Sequence, residues 1–389
     1  MKSIPRSEHP NPQFQRKKWI NLNGEWEFEK DYSNIGRECK WYERESFSEK
    51  IIVPFCMESE LSGIGCKDFV EAVWYRREVE IPEDWMGNNI LLHFGAVDYC
   101  SYVYVNGELI KVHKGGYTSF YADITDYVKC GSNTIILCAE DNIRSGEQPS
   151  GKQSEKYYSY KCKYTRTTGI WQTVWLECTP KAYIKSIKYY PDIENKCLKI
   201  SAELVGKGVF TAAASYENNI EGTVSAKGND GWLDIILPLN NLHLWEPLCG
   251  RLYDLTLTYE DDVVSSYFGM REIKIDGSKV LINNKPVFQR LVLDQGFYRK
   301  GIYTAPSDED LINDIKISLD AGFNGARLHE KVFEPRFLYH CDKMGYIVWG
   351  EYANWGFDHS LPNGIHIYLD EWREVIQRDF NHPAIIGWA

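Results

Sequence analysis

The sequence predicts a multidomain protein: a β jelly-roll sandwich, an immunoglobulin-like β-sandwich, then the first half of a TIM (β/α)8 barrel. Three observations carry that reading. Short runs with alternating apolar residues, broken by turn signals, fill the chain up to Gly277. After Asn283-Asn284-Lys-Pro286 the pattern changes to helices alternating with strands. Reactive side chains then stand where those strands end, and parallel sheets gather their binding groups at that mouth. A chain of 389 residues is too long for one core, and the pattern divides it at 1–180, 181–277 and 278–389.

Composition narrows the class. With 43% apolar and 25% charged residues the chain is an ordinary globule. A net charge of -11 without a basic cluster argues against nucleic acid as a partner. No apolar run approaches the roughly 20 residues of a membrane helix, and Met1-Lys-Ser-Ile-Pro-Arg6 lacks the apolar stretch of a signal peptide. No membrane partner and a cytoplasmic location are therefore expected. The 11 cysteines are odd in number and form no Cys-x-x-Cys pair, and several sit in strand patterns such as Ile135-Ile-Leu-Cys138, so reduced thiols are expected. Aromatic residues reach 14%, with 13 Trp and 26 Tyr; such rings serve either as sugar platforms or as β-sandwich core.

In the first unit, Leu91-Leu-His-Phe94, Ser101-Tyr-Val-Tyr-Val105 closed by Asn106-Gly107, and Asn133-Thr-Ile-Ile-Leu137 read as strands and a hairpin. The polar segment Asp141–Tyr164, with Ser145-Gly146 and Pro149-Ser-Gly151-Lys-Gln153, reads as a long exposed loop, either functional or decorative. In the second unit Leu198, Ile200, Ala202 and Leu204 alternate with polar residues, as do Tyr253, Leu255, Leu257 and Tyr259. One dry and one wet face is the pattern of an antiparallel sandwich.

The third unit opens with a strand over Val287–Leu293, ending at Asp294. A helix follows with Ser307 as its cap and Asp310 in the capping-box position, apolar at Leu311, Ile312, Ile315 and Leu319 and stopped by Gly322. Phe323–Arg327 is the second strand. Glu334-Pro335 opens the next helix, which turns Phe337, Leu338 and Cys341 inward before Gly345. Tyr346–Gly350 is the third strand. A helix from about Asp370 to Phe380 ends at Asn381-His382-Pro383, and Ala384–Trp388 is the fourth strand.

Asn381-His-Pro-Ala-Ile-Ile-Gly-Trp388 resembles the N-H-P-S-x-x-x-W run of glycoside hydrolase family 2, which holds β-galactosidases, β-glucuronidases and β-mannosidases. Leu22-Asn-Gly-Glu-Trp-Glu27, Val53-Pro-Phe55, Thr168-Gly-Ile-Trp-Gln-Thr-Val-Trp175, Leu244-Trp-Glu-Pro247 with Leu252-Tyr253, and Phe268-Gly-Met-Arg271 match further pieces in family order. The resemblance implies a sugar-binding-like jelly roll over 1–180 and retaining hydrolysis of a terminal β-glycoside by two glutamates about 5–5.5 Å apart. In the family the acid/base lies a few residues past the Trp that Trp388 matches, and the nucleophile lies later still. Both positions would fall beyond Ala389, so this chain is expected to be truncated within the barrel, incomplete at 278–389, and inactive alone.

The carried-over substrate-binding residues are Asp294, Arg327, His329, Glu351 and Trp388, and no residue is assigned a catalytic role. Arg327 either holds sugar or carboxylate with its fork or pairs with Glu351 to close the mouth. His329 either binds a hydroxyl or is structural; the family more often has R-x-S-H, whereas Arg327-Leu-His329 places the His one position earlier. Asp294 accepts from sugar hydroxyls or serves a turn, Glu351 contacts substrate or positions the acid/base, and Trp388 stacks on sugar or packs in the core. Trp349 reads as core. No cofactor is required by the chemistry; magnesium or sodium enters by analogy with some relatives. A homo-oligomer is compatible with the sequence. Two other classes compete: a non-catalytic carbohydrate-binding or scaffold protein, and a metal-dependent hydrolase using His329, Glu351 and His359, which lacks the usual His-x-His or His-Glu-x-x-His spacing.

Overall fold

A computed structural model describes residues 4–362 and 364–389; Met1, Lys2 and Ser3 of the opening segment lie outside the described residues. The first β unit packs two antiparallel sheets. One has six strands in the order Glu49–Val53, Gly24–Asp31, Ala72–Ile81, Gly131–Glu140, Cys100–Val105, Glu108–Lys114, and the other has four. Between them lie Trp26, Phe28, Tyr75, Leu92, Phe94, Val103, Leu137 and Leu176. The Asn106-Gly107 signal is a hairpin turn: both residues have positive φ, and the turn joins Cys100–Val105 to Glu108–Lys114.

The second unit pairs a three-stranded sheet with a four-stranded one. Leu198, Ile200, Ala202 and Leu204 all face inward against Phe210, Leu255 and Leu257, as their period of two requires. A small antiparallel sheet, Ile273–Asp276, Lys279–Ile282 and Lys285–Pro286, leads out of it.

The chain then alternates. Parallel strands Leu291–Asp294, Gly325–Leu328, Ile347–Gly350 and Ile385–Trp388 form a sheet in sequence order. Between them run α1 (Asp308–Asp320), α2 (Pro335–Met344) and α3 (Gly364–Asp379). Ser307 caps α1, its Oγ accepting from the Asp310 N–H, and Gly345 ends α2 in the left-handed conformation. Phe337, Leu338 and Cys341 of α2 pack with Leu311 and Ile315 of α1 and Ala326 and Val348 of the sheet.

Two boundaries differ from expectation by four residues or more. The first strand begins at Leu291 rather than Val287, because the Asn324 side chain accepts from the Arg290 N–H and donates to the Phe288 carbonyl, diverting that stretch from a ladder. The last helix begins at Gly364, six residues before Asp370.

The segment Asp141–Tyr164 is not an exposed loop throughout. Ser150, Lys152, Gln153 and Ser154 are buried, and the Ser150 and Gly151 N–H groups both donate to the Trp355 carbonyl (2.8 and 3.0 Å). Its buried polar residues find partners on both sides: Ser150 in the parallel unit, Gln153 on Asp98 and the Thr167 N–H of the first unit. We call this segment the strap.

A leading segment crosses all three units. Arg16 donates to Glu177 (2.8 Å) and Asp262 (2.8 Å), Gln15 pairs with Ser265, Gln13 donates to the Asn381 carbonyl, and Arg6 forms an ion pair with Glu334 (2.7 Å). Cysteines form no disulfide among the described residues, and six of the 11 are buried. Among the described residues no helix is long and apolar enough to cross a membrane.

Candidate functional site

The parallel register brings the strand ends together. Leu293 pairs with Arg327, Arg327 with Trp349, and Gly350 with Trp388, so Asp294, Arg327, Glu351 and Trp388 belong to one edge of the sheet. Arg327 Nε donates to Glu351 Oε2 at 2.5 Å. The other oxygen of the buried Glu351 accepts from the Glu330 N–H at 3.3 Å. His329 Nε2 stands 3.8 Å from that oxygen, and burial lowers the His329 pKa. The pairing alternative for Arg327 is therefore realised, while its half-exposed fork keeps further donors toward solvent.

Asp294 turns back on its own chain, accepting from the Gly296 N–H at 2.9 Å, as its turn role requires; its carbonyl accepts from the His329 N–H at 2.7 Å. Burial raises its carboxyl pKa. Trp388 lies against Gly350, where a Cβ would meet the indole, and meets Trp372 edge-on at 5.2 Å. Trp349 is half-buried, its Nε1 donating to Gln289.

Several residues at this edge were not singled out in advance. Glu330, held at positive φ, is raised to about 7 by burial, and its Oε2 accepts from the Trp355 N–H at 2.9 Å. Lys331 is buried among Trp171, Tyr298, Tyr303 and Phe333, donates to the carbonyls of Gly296 and Tyr303, and is lowered to about 8 by desolvation. Trp355, 37% exposed, has the His329 ring edge-on at 5.7 Å and the Lys152 ammonium over its face at 4.3 Å. Lys152 comes from the strap, and only the polar-loop signal of 141–164 hinted at a role there.

His329, Glu330 and Glu351 offer ligand atoms within 4.8 Å of one another. A divalent cation fits that set poorly, because one Glu351 oxygen already takes the Arg327 guanidinium and the other takes a backbone N–H. His359 packs with Phe357 and Tyr368 and is not part of the cluster. The Asn381-His382-Pro383 run lies beneath the sheet: Asn381 bonds the Tyr189 N–H and the Ile187 carbonyl, and Asp342 takes both His382 Nδ1 (2.6 Å) and the Ala384 N–H (2.8 Å). That motif anchors the fourth strand to α2 and to the second sandwich.

Residues 19–180 match the family described as glycosyl hydrolases family 2, sugar binding domain. A β-glucuronidase of Paenibacillus borealis is 23% identical over 95% of this chain and 66% of its own length. A β-galactosidase of Thermoanaerobacter pseudethanolicus is 28% identical over 83% of this chain and 45% of its own. The structure of a β-glucuronidase from Ruminococcus gnavus in complex with D-glucuronic acid shares the fold, with a TM-score of 0.84 at 21% identity over 99% of this chain and 68% of that one. The chain thus spans 45% and 66% of the two curated relatives named here.

Proposed function

With its residues 19–180 matching the sugar binding domain of glycosyl hydrolases family 2, the resemblance read from the sequence holds, and from it we propose that the chain is the sugar-recognising part of a retaining, exo-acting β-glycosidase of β-glucuronidase or β-galactosidase type. In this reading 1–180 is the jelly roll, 181–277 the immunoglobulin-like sandwich, and 278–389 the first half of a (β/α)8 barrel. Asp294, Arg327, His329, Glu351 and Trp388 bind the terminal sugar. The observation that carries it is the joining of Arg327, His329 and Glu351 at the C-terminal edge of the parallel sheet, where barrels of this kind bind substrate.

The chemistry needs a proton donor and a nucleophile, and the family pattern assigns neither to these 389 residues. The share of the work proposed for them is orientation: donors of Arg327 and His329 meet sugar hydroxyls, and Glu351 keeps the Arg327 fork in one plane. Hydrolysis by this chain alone is not expected.

A non-catalytic carbohydrate-binding protein is the second reading, favoured by Glu351 being tied to a guanidinium rather than free for acid chemistry. Hydrolysis of nitrophenyl β-glycosides by the chain and by a long form, made by joining it to the rest of the barrel of a full-length relative, separates the two. Activity confined to the long form supports the glycosidase. Activity in the short form overturns the assignment of its carboxylates, and an inactive long form that binds sugar favours the second reading.

A further inference from the structure

We infer that Lys152, carried by the strap of the first sandwich, is a ligand-contacting cation at the sheet edge, and that the group it takes is a carboxylate on a glycoside. This inference rests on the carbohydrate reading above and assigns one specificity-determining residue within it.

Lys152 is 4% exposed. Two lysines are buried among the described residues, and they are treated differently: Lys331 donates to the Gly296 and Tyr303 carbonyls, whereas no described residue accepts a hydrogen bond or forms an ion pair with Lys152 Nζ. The Lys152 charge reaches the Glu330 carboxylate, yet no hydrogen bond fixes the ammonium, so its donors remain for a ligand.

The position is fixed by the backbone. The Ser150 and Gly151 N–H groups hold the Trp355 carbonyl, and the Tyr164 N–H holds the Lys152 carbonyl at 2.8 Å. Gly151 has positive φ, and a Cβ there would meet the Glu330 carbonyl oxygen, so the strap lies directly on the residue between His329 and Lys331.

The neighbours are the sugar-edge residues. Lys152 Nζ is 4.3 Å from the Trp355 ring centre, and the His329 ring meets that same indole at 5.7 Å. Of the acids nearby, Glu351 takes Arg327, and Glu330, whose Oε2 takes the Trp355 N–H, feels the Lys152 charge without a hydrogen bond to it. An ammonium with free donors, at an edge that also carries an exposed indole, matches a glycoside whose carboxylate reaches the charge. That carboxylate can sit on the sugar ring or on the leaving group.

The test uses the 389-residue chain, with binding followed by NMR titration. The probes are methyl β-D-galactoside, methyl β-D-glucuronide, phenyl β-D-galactoside and 4-carboxyphenyl β-D-galactoside, each against the parent chain, Lys152→Met and Lys152→Arg. Lys152→Met keeps an unbranched apolar side chain and removes the charge, and with it the cation–π contact to Trp355. We expect one acidic glycoside to bind at least ~5-fold more tightly than its neutral counterpart and to weaken with salt. That preference should vanish in Lys152→Met and persist in Lys152→Arg. Preference for the glucuronide places the anion on the sugar, and preference for the carboxyphenyl compound places it on the leaving group. If neutral and acidic glycosides bind alike and Lys152→Met changes neither, the assignment of Lys152 falls while the carbohydrate site stands. If no glycoside binds, the site reading falls and takes the assignment with it. Should Lys152→Met fail to fold, the salt dependence and Lys152→Arg decide the question.

Discussion

Arg327 and Glu351, which end neighbouring parallel strands, share a 2.5 Å hydrogen bond, and Glu351 is buried while the Arg327 side chain is half-exposed. The pair places a guanidinium, held in one orientation, at the sheet edge.

Replacing Arg327 with Ala should therefore act twice. Glu351 keeps its bond from the Glu330 N–H but loses its charged partner, which costs about 1–3 kcal/mol of stability. Sugar binding should weaken at least ~10-fold, the loss of about one good charged hydrogen bond. Urea unfolding and glycoside titration check the two effects; unaltered sugar affinity in a folded Arg327→Ala chain would show that the fork does not meet ligand.

Gly151→Ala should undo the strap. The added methyl would meet the Glu330 carbonyl oxygen, and the positive φ disfavours Ala. Amide hydrogen exchange should rise over 141–164 and around Trp355 while the sandwich core around Trp26 and Leu137 keeps its protection. Equal exchange in both chains would mean the strap is not held by that contact.

Stability should fall as pH rises toward neutrality. Burial raises Glu58, Glu330 and Glu371 each to about 7 from an ordinary 4.5. The folded chain holds protons that the unfolded chain releases, so these groups contribute stability fully present below pH 4.5 and lost as pH rises through 7. Glu371, which accepts from the Tyr117 N–H and the Tyr352 hydroxyl, can be replaced by Gln with its acceptor kept. Glu371→Gln should flatten the slope across that window and be the more stable protein at pH 8; parallel curves for both proteins would contradict this.

Arg16→Ala should loosen the two sandwiches. Glu177 and Asp262 are both buried and both rely on this guanidinium. Leaving buried carboxylates unpaired costs about 3–5 kcal/mol. Calorimetry should show a lower transition, and one that separates into two if the sandwiches then melt independently.

Much of the fold was legible because burial imposes a period. Leu198 to Leu204 and Tyr253 to Tyr259 advertise one dry face each, and Ser307, Pro335 and Gly345 mark helix ends with local chemistry. The misread stretches were settled by distant groups. Val287–Arg290 is apolar enough for a strand, yet the Asn324 amide claims its backbone. The first turns of α3 contain Ile365 and Leu369, which are exposed, so they show no inward stripe. At the site, Arg327, His329 and Glu351 could be read from strand ends. Lys152 could not, because the partner that gives it meaning, Trp355, is brought to it only by the docking of two units. The strap read as exposed because its residues are polar; it is interior because Ser150 and Gly151 bond Trp355 across that junction while Gln153 bonds Asp98 and the Thr167 N–H within the first unit.

The leading segment sets an order of events during synthesis. Arg16 must wait for Asp262, 246 residues later, and Arg6 for Glu334, 328 residues later. At about 5–20 residues per second the second interval lasts roughly 16–65 s, during which Arg6, though its carbonyl already accepts from Asn21 and Asn23, lacks the carboxylate it pairs with. The ion pairs of Arg6 and Arg16 are thus among the last contacts of their segment to form, and a chaperone that shields the two guanidinium groups has half a minute or so in which to act.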